Sequence, residues 1–196
     1  MKIFSTSKLL PAIGATALAL GLSLALVSPT PSVAEKTVNV GGAPMFPSKN
    51  IVENAVNSKD HTTLVAAVKA AGLVETLVSP GPFTVFAPVN TAFDKLPAGT
   101  VPTLLKPENK GQLAGVLTYH VVPGRLSAAD LGKMVDAKGG KAMLKTANGQ
   151  SLTVKRSGAS KLSVSDGKGN TATVTIANVF QSNGVIHVID GVLLPN

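Results

Sequence analysis

The 196-residue chain carries 18 Lys and Arg against 10 Asp and Glu, a formal net charge of +8, with no cysteine, no tryptophan and a single tyrosine. The missing thiols exclude a disulfide scaffold, thiolate metal sites, cysteine nucleophiles and a lipid-anchored cysteine in any redox compartment. The length suits one domain that must hold itself by apolar packing, the basic balance favours anionic partners, and the scarcity of aromatic rings argues against nucleic acid.

The first predicted element is a leader. Lys2 and Lys8 flank a polar start, residues 9–27 are apolar and uncharged, and Ser32 and Ala34 make a small-x-small exit before Glu35. That order reads as a secretory signal peptide over residues 1–34, cut between Ala34 and Glu35 and leading to a secreted or periplasmic address. Left uncut, the same run becomes a membrane anchor, the one route by which this chain meets a membrane. Residues 35–47, with Gly41-Gly42 and Pro44 and no apolar period, read as a flexible N-terminal arm.

A folded domain is expected over residues 48–196. Ser48 is placed to cap a helix whose stripe is Ile51, Val52, Ala55 and Val56. A second helix starts near residues 60–62, carries Leu64, Val65, Val68 and Ala71 on one face and stops at Gly72. Leu73, Val74 and Leu77 continue for another turn before Pro80-Gly81-Pro82 breaks the chain. Residues 83–87 alternate as a strand that Pro88 ends. Asn90 or Thr91 then opens a short helix, and the Asn90 side chain is positioned to clamp backbone donors there. Residues 102–105 and 107–119 read as a helical pair with Leu113, Val116 and Leu117 on one face. Residues 120–122 are extended, Pro123-Gly124 bends, and Ser127 caps a short helix ending near Leu131.

Hairpins follow. Asn148-Gly149 between residues 142–147 and 150–156 is a two-residue turn signal, with Leu152 and Val154 on one face and Ser151, Thr153 and Lys155 on the other. Residues 161–165 and 171–177 pair around DGKGN, and Asn183-Gly184 turns into a last strand at 185–189. Helices in the first half and strands in the second define an α+β class.

The chemistry-bearing residues are few. His61, at a helix start, is expected to face solvent or to neighbour the cap. His187 shares a strand face with Val185 and Ile189, so if that face is buried its ring must find a hydrogen-bond partner and is structural. Asp190 precedes Gly191 and reads as a fold lock that accepts backbone donors. Neither an HExxH, a CxxC nor an EF-hand pattern occurs, so no metal or other cofactor is expected. A Ser/His/Asp set can be assembled on paper from the serines, His187 and Asp190, but there is no Gly-x-Ser-x-Gly elbow and the chain does not read as an enzyme. Lys133, Lys138, Lys141, Lys145, Lys155, Arg156, Lys161 and Lys168 face only Asp136 and Asp166 in their stretch. They form either a surface for an anionic partner or a hairpin whose edges lysine protects from unwanted pairing.

Three segments carry a further message: TVFAPVNTAF (residues 84–93), LTYHVVPG (117–124) and NGVIHVIDGVLLP (183–195). In this order and spacing they resemble the fasciclin (FAS1) domain, from about residue 49 to 195. The resemblance implies a twisted, wedge-like β-sandwich packed against a cluster of helices. It also implies an adhesion or binding module, bacterial and exported, that recognises a cell-surface or matrix protein or an anionic glycan. Because family members have adhesive contacts linked to their Tyr-His region, it points to Tyr119 and His120 as partner-binding residues. Integrin recognition is not expected, because NVFQSNG (residues 178–184) stands where animal members carry an Asp-Ile motif. A lone copy bridging two surfaces needs a second valence, for which self-association is one route. The other function the resemblance allows is carriage of a small hydrophobic molecule, carotenoid- or lipid-like, in a groove lined by Ala66, Ala67, Ala70 and Ala71.

Overall fold

The computed structural model describes residues 37–158 and 161–196; the expected leader over residues 1–34 lies outside them. The first described element overturns the expectation of a loose arm. Val38–Val40 (β1) pairs antiparallel with Ala43–Met45 (β2), and Gly41 and Gly42 both adopt positive φ, at 60° and 78°. That is the backbone of a tight two-residue hairpin turn, which two glycines enter without strain. Val40 and Met45 are buried in the core and pin the hairpin down. What reads locally as a break is a turn between two short strands.

The helical layer follows. Ile51–Ala55 (α1) is capped by Asn50 rather than Ser48: the Asn50 side chain accepts from Glu53 N at 2.9 Å and Glu53 Oε2 accepts from Asn50 N at 2.8 Å, a reciprocal capping box. A 3₁₀ turn, Lys59–His61, leads into Thr62–Ala71 (α2), which ends where expected, at Gly72 in the left-handed region (φ 72°). Val74–Val78 (α3) completes this group. Asn90–Asp94 (α4), Thr100–Leu104 (α5) and Lys110–Tyr119 (α6) come after the first core strand. Ala128–Ala137 (α7) starts at the expected Ser127 cap but runs two turns past Leu131, because Leu131 and Val135 share the face that enters the core.

Seven strands form one sheet: Phe83–Pro88 (β3), Val121–Pro123 (β4), Lys141–Lys145 (β5), Ser151–Ser157 (β6), Lys161–Ser165 (β7), Thr171–Gln181 (β8) and Gly184–Ile189 (β9). Their order is β4-β3-β9-β8-β7-β6-β5. The pairing of β3 with β9 is parallel and the others are antiparallel. Two register shifts in β8, between Val174 and Ile176 and between Ile176 and Val179, bend the sheet. Its terminal strands then come close enough for Ala147 N to donate to the Val121 carbonyl at 2.7 Å.

Two apolar layers result. On one side of β3 and β9, Val85, Ala87, Ile186 and Val188 pack under Ile51, Val68, Leu77 and Leu117 of the helices. On the other, Phe86 and Ile189 join Leu131 and Val135 of α7 and the inward residues of β5 to β8, among them Leu152, Val154 and Val164. Strands buried on both faces explain why Val185–Ile189 reads as a nearly continuous apolar run rather than an alternation. A Cβ on Gly184 would collide with the Phe83 carbonyl oxygen, so glycine is what lets β9 enter beside β3. Among the described residues no helix is long and apolar enough to cross a membrane.

The hairpin generates a test. Met45→Ala is expected to lower unfolding free energy by about 2–5 kcal/mol, the cost of a buried methionine truncated to alanine, measured as a urea midpoint shift at constant slope. A loose arm would leave the midpoint unmoved.

Candidate functional site

Six polar residues of the three hallmark segments, Asn90, Tyr119, His120, Asn183, His187 and Asp190, each meet a backbone group of a distant element. Tyr119 is fully buried and His120 is 3% exposed. The Tyr119 hydroxyl donates to the Ser151 carbonyl at 2.9 Å and accepts from Gly167 N at 3.3 Å, tying α6 to β6 and to the β7–β8 turn. Burial raises its pKa. His120 holds Val116 O at 2.8 Å from Nδ1 and receives Leu193 N at Nε2, 3.1 Å. Those two contacts define the neutral ring with its proton on Nδ1. Burial is the main cause that pushes its pKa down to about 4. The expected partner-binding role for this pair is therefore corrected: neither ring reaches the surface, and both act as internal braces.

His187 carries the opposite tautomer. Its Nε2 lies 2.9 Å from the Leu126 carbonyl and its Nδ1 accepts from Asn178 N at 3.4 Å, while the ring stacks on Phe86 with centroids 5.7 Å apart. Desolvation lowers its pKa as well. Asn178 sits in the β8 bulge at φ 60° and uses its own Oδ1 to accept from Ala128 N at 2.7 Å, in the first turn of α7. Asp190 Oδ1 accepts from Thr173 N at 2.7 Å, across to β8 rather than within its own turn. Asn90 reaches α2: Oδ1 accepts from Thr63 N at 3.1 Å, and Nδ2 donates to Lys59 O at 2.9 Å and to Thr62 Oγ1 at 3.0 Å.

Two braces escape a reading of the sequence. Asp166 accepts from Lys168 N, Asn170 N and Asn170 Nδ2 within its turn, and from Leu194 N at 2.9 Å. Neighbouring amides of the last segment are thus held by His120 and Asp166. Asn183 accepts from Ile51 N at 3.1 Å and donates to the Leu77 and Ser79 carbonyls at 2.7 and 2.9 Å, fastening α1 and α3 to the β8–β9 turn. The available signal is that both stand in turn motifs, DGKGN and NG, where a side chain has backbone groups to bond.

His61 is 4% exposed, not solvent-facing as its place at a helix start suggests. Its Nδ1 is 2.9 Å from Ser58 Oγ. Its buried Nε2 makes no hydrogen bond of normal geometry, although the nearby Ala87 carbonyl partly offsets the desolvation that lowers its pKa. It lines a cavity of about 100 Å³ between α1–α3 and the central strands, walled also by Leu64, Val68, Leu73 and Ile186. The four alanines expected to line such a groove do not. Ala66 and Ala70 are exposed, and Ala67 and Ala71 pack in the core beside it.

The paper triad is not assembled, since His187 and Asp190 each spend their polar atoms on backbone. Among the described residues no three His, Asp or Glu side chains gather as a metal-ligand set.

A seven-stranded sheet backed by helices, with Tyr119, His120 and His187 turned inward as braces, defines an α+β domain of a recognisable class. The Fasciclin domain family model matches residues 59–195, and the chain belongs to the Fasciclin (FAS1) family. It is 50% identical over 178 residues to protein sll1483 of Synechocystis sp., covering 87% of this chain and 90% of that protein. It is 38% identical over 146 residues to the immunogenic protein MPB70 of Mycobacterium bovis, covering 72% and 66%. The FAS1 domain pair of the insect cell adhesion molecule fasciclin I superposes with a TM-score of 0.66 at 18% identity; the match covers 74% of this chain and about half (51%) of that one.

The buried histidines set a pH dependence. His120 is held near pH 4 against 6.5 in the unfolded chain, so between those values the unfolded state binds more protons than the folded one. Stability is therefore full above about pH 6.5 and falls as pH drops toward 4. The loss from His120 alone is about 3 kcal/mol, with His61 and His187 shifted in the same direction. Urea midpoints at pH 7.5 and 4.5 measure it, and equal midpoints would contradict the neutral, braced rings.

Proposed function

We propose that this chain is an exported FAS1 recognition module that binds a protein or glycan at the cell surface or in the envelope and performs no catalysis. The observation that carries this reading is the consumption of polar chemistry by the fold. Tyr119, His120, His187 and Asp190 are all spent on backbone groups, while the exterior keeps a surplus of lysine. The family includes a cell adhesion molecule among its solved structures, and the leader over residues 1–34 supports export. Mechanistically, lysines steer the approach and a modest surface patch is buried on contact. Beads coated with the purified domain are expected to adhere to cells of the source organism, with adhesion weakening across a rising salt series. Beads that ignore every cell and envelope preparation at low salt would remove the reading.

The apolar cavity supports a second reading, carriage of a small hydrophobic molecule. At about 100 Å³ it lies below the roughly 300–1,000 Å³ of a site for a drug-sized ligand, so a carotenoid- or lipid-sized occupant requires α1 and α3 to part from the sheet. Protein purified from its native source would then show visible absorbance or solvent-extractable lipid, and Val68→Phe, which fills the cavity, would abolish either signal. A colourless, lipid-free preparation speaks against carriage.

A further inference from the structure

The outward face of the β5–β7 sheet gathers like charges that the fold does not use. Strand alternation sends Ala142, Leu144, Leu152, Val154, Leu162 and Val164 into the core and leaves Lys141, Lys145, Lys155 and Lys161 exposed on the opposite face. Lys141 and Lys155 stand directly opposite each other in register. Lys155 pairs with Ser163, which makes Lys161 its diagonal neighbour, roughly 7–8 Å away. Lys145 continues the row about 13 Å along β5, at about 3.3 Å per residue. No outward position of β5, β6 or β7 holds a carboxylate. Among the described residues the one salt bridge is Arg156 with Asp136, and it involves none of the four lysines.

Like charges directly opposite in a sheet are destabilising. Protection of an exposed edge accounts for Lys141 and Lys145, because β5 is the terminal strand. It does not account for Lys155, which has a strand partner on both sides, Lys141 of β5 and Ser163 of β7.

We infer that this face docks an anionic polysaccharide, a flexible chain bearing repeated carboxylate or sulfate groups. Three features select that partner. The charges form a strip rather than a pocket, which suits repeated anions. Between them sit hydroxyl residues such as Thr153, able to bond sugar hydroxyls. The face carries one large exposed apolar side chain, Met143 (64%), and no aromatic ring, so it lacks the apolar wedge of an interfacial membrane binder and the aromatic or arginine anchors of a tight protein interface.

The inference rests on the recognition reading and names its partner, but its test stands apart. The purified domain is titrated against immobilised dextran sulfate and alginate, with neutral dextran and phosphatidylglycerol vesicles alongside. Lys155→Glu/Lys161→Glu is compared with Lys59→Glu/Lys106→Glu, an equal charge change on the helical layer. The face variant is expected to lose at least tenfold in affinity for both anionic polymers and the control variant less than about twofold. Wild-type binding should fade with salt and exceed binding to vesicles. Equal losses in the two variants would reduce the effect to net charge and overturn the inference. So would equal binding to neutral dextran, or a vesicle affinity above that for either polymer. If the reversed face fails to fold, shown by its thermal transition, Lys155→Gln/Lys161→Gln replaces it. Cell adhesion that survives loss of the face would leave the recognition reading standing and end this one. Face-dependent polymer binding by a domain that no cell retains would do the reverse.

Discussion

The parallel pairing of β3 with β9 is the contact on which the other elements depend. It joins the first core strand to the last across about a hundred residues of sequence, and both strands are buried on both faces. One face receives the helices and the other receives α7 with the inward side of the remaining strands. Because this pair is buried, polar groups near it are mostly answered from within the protein, His61 Nε2 being the exception among the described residues. The braces described above are that answer. His187 spans from β9 to the Leu126 carbonyl and the β8 bulge, His120 and Asp166 hold adjacent amides of the last segment, and Asn183 fastens two helices to the turn that launches β9.

The chemistry of the histidines follows from the same burial. His120 and His187 each present one nitrogen as donor and the other as acceptor, in opposite senses, and both are kept neutral by desolvation. A neutral ring with both nitrogens engaged has neither the basicity nor the free lone pair that a general base or a metal ligand needs. The polar chemistry of these rings is thus spent on holding the interior together.

What could be read in the sequence was local. Gly72 as a helix stop and Ser127 as a cap act within a few residues, and the structure places both as read, whereas Asn148-Gly149 marks the hairpin but not its two-residue turn: Thr146 N donates to the Gln150 carbonyl, residues 147–149 make the loop and only Gly149 takes positive φ. The α+β class follows from helices in the first half and strands in the second, and the FAS1 resemblance from three long segments. The misreadings have two causes: a reciprocating neighbour that a local reading passes over, and burial that only the assembled elements create. Gly41-Gly42 reads as a break until the burial of Val40 and Met45 is known. Asn50 takes the cap from Ser48 because Glu53 reciprocates. Tyr119, His120 and His61 are polar enough to suggest a surface, and only the strands and helices packed over them show that they are interior. The parallel register of β3 and β9 has no local signature, since two apolar strands carry no mark of which partner each will take.

The void beside His61 has a volumetric consequence. Interiors are packed about as densely as organic crystals, and a void of about 100 Å³ disappears when the chain opens and water floods in. The unfolded state then occupies less total volume, by an amount within the usual range of roughly 20–100 mL/mol. Hydrostatic compression therefore works against this fold at its helical layer, where the void lies.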